Sequence, residues 1–159
     1  MENQRAFRRR GLTLVEALLA AIVLVVVAGS VSQALLAGQM QAYDAAHRER
    51  GLELAEALME EILRLPYADA DGDGETGRAN FDDLDDYNGY TDSGALTDFA
   101  GTTYPSAYHE FSRAVTVIAG SQNVSEFGAA IDGLNVTVTV TDAGGQTWTL
   151  QQFVPEPVE

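Results

Sequence analysis

Arg8-Arg9-Arg10-Gly11-Leu12-Thr13-Leu14-Val15-Glu16-Ala17-Leu18-Leu19-Ala20-Ala21-Ile22-Val23-Leu24-Val25-Val26-Val27-Ala28-Gly29 is the stretch that decides the fold. Three Arg stand in front of Gly11, and a long apolar run stands behind it. Residues 12–38 carry one charge, Glu16, and residues 17–29 have no polar side chain. A helix needs about 20 apolar residues to cross a bilayer. Arg on the amino-terminal flank keeps that end cytoplasmic and sends the remainder across.

Three simpler readings of this stretch compete. A cleaved secretory signal has an apolar core of about 7–15 residues and ends at a small-residue cleavage site; this run is longer. A buried core helix does not fit an apolar run placed directly behind an Arg cluster. A simple signal anchor fits the length but gives Glu16 no purpose. A carboxylate in an apolar membrane helix is costly and, where it occurs, has a partner or a function. Gly11, in turn, offers a sterically open backbone at the membrane face.

The run Gly11-Leu12-Thr13-Leu14-Val15-Glu16-Ala17-Leu18-Leu19-Ala20 behind an Arg cluster resembles the processing site of type IV pilins and type II secretion pseudopilins. The resemblance implies cleavage after Gly11 by a prepilin peptidase and methylation of the new amino terminus at Leu12. The family more often has Phe or Met at that terminus. Glu16 matches the acid near the mature amino terminus, where it would pair with the terminal amine of a neighbouring subunit. The resemblance further implies a bacterial inner-membrane precursor with a cytoplasmic amino terminus, later part of a periplasmic or cell-surface filament. Its partners are then other pilin or pseudopilin subunits, the prepilin peptidase and the inner membrane.

Helical periodicity continues past the apolar run. Leu52, Ala55, Leu58 or Met59, Ile62 and Leu65 recur at steps of three and four, with Glu49, Glu53, Glu56, Glu60, Glu61 and Arg64 between them. Pro66 ends the pattern. One helix over residues 12–65 would be about 80 Å long at 1.5 Å per residue. A domain of this size cannot bury that length, so the first half must enter a membrane or a bundle of other subunits. Gly29, Gly38 and Gly51 are candidate bends or points of close approach. Residues 43–67 look more like the minor subunits of the family than the major ones, and the mid-helix Pro of many major pilins is absent here.

Residues 69–98 hold ten acids and a single Arg, Arg78. Asp69-Ala70-Asp71-Gly72-Asp73-Gly74-Glu75 matches the first half of a calcium loop, with oxygens at alternate positions and a Gly for the sharp turn. The second half departs: Asn80 stands where a bidentate Glu is expected, and Pro66 removes the flanking helix. Asp82, Asp83, Asp85 and Asp86 follow as a second acidic cluster, whose like charges call for a cation or for solvent. A solvated acidic loop is the first reading; a structural calcium on Asp69, Asp71, Asp73 and a carboxylate from 82–86 is the candidate cofactor kept beside it. Phe81, Leu84 and Tyr87, three residues apart, suit one helical turn anchoring the loop.

From residue 111 the period changes to two. Val115 and Val117 share a face, and Leu134, Val136, Val138 and Val140 alternate with Asn135, Thr137, Thr139 and Thr141. Asp142-Ala143-Gly144-Gly145 is a turn signal, after which Trp148 and Leu150 share a face. These are about three antiparallel strands with one face buried, covered by the amphipathic half of the helix. The fold expected is α+β. Its parts are a basic leader (1–11), a membrane or filament-core helix (12–38), an amphipathic helix (39–66), an acidic loop region (67–110), a small antiparallel sheet (111–154) and a polar tail (155–159).

Composition narrows the function. The chain has 24 acids against nine basic residues, all Arg, for a net charge of -15. Beyond Gly11, five Arg face 23 acids, so the body repels nucleic acid and anionic headgroups. There is no Cys, hence no disulfide, thiol nucleophile or Cys-based metal site. The two His, His47 and His109, read as surface residues, and no catalytic motif stands out, so an enzyme is not expected. The function expected is a minor pilin or pseudopilin of a type IV pilus or type II secretion filament. The alternative is a signal-anchored module outside the cytoplasm that binds calcium or a protein partner.

Overall fold

A computed structural model describes residues 13–67, 77–124 and 128–157. One long helix, α1 (Leu14–Ile62), precedes four strands: β1 (Thr91–Ser93), β2 (Phe111–Val124), β3 (Ala129–Asp142) and β4 (Thr147–Pro155). The strands form one antiparallel sheet in the order β1-β2-β3-β4. The class is α+β, as expected. Two compact units divide between Asp44 and Ala45.

In the first unit, Thr13 caps the helix. Its hydroxyl accepts the Glu16 N–H at 3.3 Å and its carbonyl accepts the Ala17 N–H at 3.1 Å. Thr13 followed three residues later by Glu16 has the spacing of a capping box. Side chains from Leu14 onward are exposed all round the helix. The hydroxyls of Ser30 and Ser32 donate to the carbonyls of Val26 and Ala28, each at 2.9 Å. Their polar groups are thereby satisfied within the helix, which an apolar surrounding demands. The helix is long and apolar enough to cross a membrane.

In the second unit, the rest of α1 lies on the sheet. Leu54, Ala55, Leu58, Met59 and Ile62 meet Phe111, Val115, Val117, Val136, Val138, Val140 and Trp148 in one core. Burying each large aliphatic side chain contributes about 1.5–3 kcal/mol. The helix stops at Ile62, three residues before the expected end. The next turn tightens: Arg64 and Leu65 donate to the carbonyls of Glu61 and Ile62, three residues back, at 3.3 and 3.1 Å. Pro66 disfavours helical backbone at Leu65, so the last turn cannot continue as α-helix.

The β2–β3 hairpin is longer than the apolar alternation foretells. Its register runs from Phe111↔Asp142 to Val124↔Ala129. The ladder persists where the alternation stops, because backbone pairing does not need apolar side chains. At the β3–β4 turn, Asp142 and Gln146 exchange bonds. The Asp142 N–H donates to the Gln146 carbonyl at 3.0 Å, and the Gln146 N–H donates to the Asp142 carboxylate at 2.8 Å. Gly145 takes φ +82° there, a backbone that favours glycine. β4 runs on to Pro155, and the Glu156 N–H donates to the Asp132 carbonyl at 2.9 Å, so pairing enters the expected tail.

Residues 77–110 of the acidic region are more ordered than a plain loop. Short 3₁₀ turns cover Arg78–Asn80, Asp85–Tyr87 and Ser106–Tyr108, and β1 pairs with β2 through Thr91↔Ala114. Leu84 and Tyr87 are buried, and Phe81 meets Tyr87 edge-on at 4.9 Å. The three side chains do anchor the region, but not on one helical turn: Phe81 follows the first 3₁₀ turn, Leu84 precedes the second, and only Tyr87 lies within one.

Candidate functional site

Gly11 and Leu12, the expected processing site, lie outside the described residues, as do Asp69, Asp71 and Asp73. Glu16 is described. It sits in the first turn of α1, exposed, and every other side chain from Leu14 to Gly29 is apolar. An acid in the first turn also favours the positive end of the helix dipole. A Cβ added at Gly29 or Gly38 would meet nothing within 4 Å among the described residues outside the helix's own backbone, whereas one at Gly51 would run into the Trp148 ring.

The second acidic cluster is folded on itself. One Asp83 carboxylate oxygen accepts the N–H groups of Asp85 and Asp86 at 2.9 and 3.2 Å. One Asp86 oxygen accepts the N–H groups of Asp82 and Asp83 at 2.9 and 3.4 Å. Asp83 is buried, and Asp82 and Asp85 are exposed. Backbone amides therefore answer part of the like-charge repulsion that points to a cation. Among the described residues no three His, Asp or Glu are grouped to hold a metal ion.

Beside this cluster lies a buried charge network that the sequence pattern does not signal. Helical periodicity puts Glu61 on the solvent side of the helix, but it is buried. Arg78 reaches it from the loop through Nε at 2.6 Å and through Nη2. The Tyr87 hydroxyl donates to the same carboxylate at 2.6 Å. Arg113, also buried, holds Asp92 of β1 through Nε at 3.0 Å and through Nη2. Both guanidinium groups donate to the Thr97 carbonyl at 3.0 Å. Burial pushes the Tyr87 hydroxyl well above its ordinary value, and the Glu61 carboxylate pushes it further. Burial works against the charge on Arg78, but the Glu61 hydrogen bond and charge outweigh it and raise its value. Two cations and two anions thus join α1, the loop, β1 and β2. A cleft of about 170 Å³ beside the network is lined by Arg64, Asp98, Phe99 and Tyr104.

His47 is likewise not a surface residue. It is buried against Phe111, with ring centroids 4.7 Å apart, and its Nε2 bonds the Asp142 carboxylate at 2.9 Å. Glu110 approaches Nδ1 at 3.5 Å. The Gln146 N–H, and after it His47, hold the Asp142 carboxyl below its ordinary value. The role of this cluster in the fold is to fasten α1 to the β3–β4 turn. His109 is exposed, as expected. No family model, curated protein or solved structure matches this chain.

Proposed function

We propose that the chain is a structural subunit, a minor pilin or pseudopilin, of a type IV pilus or type II secretion filament. It is made as a precursor in the bacterial inner membrane, cut after Gly11 and methylated at Leu12. The observation that carries this reading is Glu16: one carboxylate on a helix whose other side chains from Leu14 to Gly29 are apolar. In lipid or in a dry helix bundle such a charge is costly without a partner. The amine left by cleavage before Leu12 is a partner of opposite sign, supplied by the next subunit. Pairing fixes the vertical register between subunits. The test is Glu16→Ala in cells that assemble the filament. The variant is expected to be processed and membrane-bound but absent from sheared filaments. Incorporation at the wild-type level would contradict the role given to Glu16.

A further inference from the structure

Among the described residues the sheet leaves two stretches of edge unpaired, one on β4 and one on β2. β4 pairs with β3 on one side and, among the described residues, with nothing on the other. Its sequence, TWTLQQFVP, carries no charge. The bonds Glu156 N–H to Asp132 O and Asp142 N–H to Gln146 O set the parity of the ladder. Trp148, Leu150, Gln152 and Val154 therefore bond β3, and Thr147, Thr149, Gln151 and Phe153 direct their N–H and C=O groups outward.

At the opposite side, β1 and the residues before it cover only the start of β2. Val115 bonds Tyr90 and Gly89, and the Val117 N–H donates to Asn88 Oδ1 at 3.1 Å. Residues 118–124, Ile-Ala-Gly-Ser-Gln-Asn-Val, pair only with β3 among the described residues, and they too carry no charge. Natural edge strands are commonly blunted by charges, by Pro within the strand or by bulges. Neither edge has a charge, and the Pro of β4 stands only at its end.

Copies of a body with five Arg against 23 acids repel one another, so close approach costs least along edges that carry no charge. β2 and β4 both run antiparallel to β3, and so parallel to each other. Copies sharing one orientation can set β4 of one beside β2 of the next. The two edges differ, so the contact is heterologous, the kind from which open filaments are built when its rotation does not close. We propose that β4 of one copy pairs, in parallel, with residues 118–124 of a second copy of this chain. The shared orientation rests on the filament reading above.

Disulfide mapping tests this in the full chain, in membranes of the cells that make it; the chain has no native Cys. Gln151 faces the outer side of the sheet, as do Ile118 and Gln122 by alternation with the buried Val117. Coexpressed Gln151→Cys and Ile118→Cys, or Gln151→Cys and Gln122→Cys, should form a mixed crosslink at least fivefold above either self-crosslink. Ser121→Cys, on the opposite face, should not. Dominant self-crosslinks of the Gln151→Cys chain, or no mixed crosslink in any combination, would overturn the pairing. Gln151→Pro removes an outward N–H that the sheet itself does not use. It should leave folding intact and reduce the crosslink between Ile118→Cys and Thr149→Cys chains at least fivefold; an unchanged crosslink in a folded variant would also overturn the pairing. Filaments that form without the crosslink sink the pairing alone. A crosslink in chains never cut at Gly11 sinks the filament reading and leaves the pairing.

Discussion

Glu61 on α1 and Arg78, seventeen residues on, form a two-pronged ion pair whose carboxylate also receives the Tyr87 hydroxyl. Both partners are largely shielded from water, so the pair acts as a unit. Removing one partner strands the other charge at a cost of about 3–5 kcal/mol. Glu61→Ala should lower the unfolding free energy by that amount in urea titration. The double variant Glu61→Leu/Arg78→Met should lose less than Glu61→Ala alone. A loss below about 1 kcal/mol for Glu61→Ala, the scale of an exposed pair, would show that the network is not shielded.

Gly51 sets how closely α1 lies on the sheet. A Cβ there would stand 2.6 Å from Cε3 and 2.7 Å from Cδ2 of Trp148, so the ring or the helix must shift. Alanine is the better helix former by about 1 kcal/mol, yet overpacking costs about 1–3 kcal/mol. Gly51→Ala should therefore lower the melting temperature, and Gly51→Leu should lower it further. A rise in melting temperature with Gly51→Ala would show that the contact is loose.

Alkaline pH should unfold the second unit through its tyrosines. Burial raises the hydroxyl values of Tyr87, Tyr90 and Tyr104, with carboxylates Glu61 and Asp92 adding to the first two. A folded value above the unfolded one, about 10, means the neutral phenol stabilises the fold. That stability is complete below about pH 10 and is lost as pH rises through the higher folded value. Phenolate absorbance should lag behind that of denatured chain and then rise together with loss of circular dichroism. Full ionisation near pH 10 in a still-folded protein would contradict the burial.

Much of the fold is legible in the sequence because it rests on period. The alternation of Leu134, Val136, Val138 and Val140 marks β3, and the three-and-four spacing of Leu58, Ile62 and their neighbours marks the helix face. Glu61 and His47 mislead for one reason. Helical patterning ranks polar residues as outward, and their partners, Arg78 and Asp142, lie 17 and 95 residues away. The single Arg among ten acids is the available signal for the first, and Thr13 three residues before Glu16 for the helix start. β1 offers none, since Thr-Asp-Ser reads as a turn and pairs only because β2 stands beside it. Asp83 and Asp86 show the limit of charge counting: a carboxylate can be answered by its own backbone amides as well as by a cation.

The most direct test of the filament role is the mass and amino-terminal sequence of the chain extracted from membranes. A chain beginning at Leu12 and heavier by one methyl group is the expected result, with the apolar helix and Glu16 retained. A chain that still begins at Met1 or Glu2, or one cut beyond the apolar run, would contradict the proposed function.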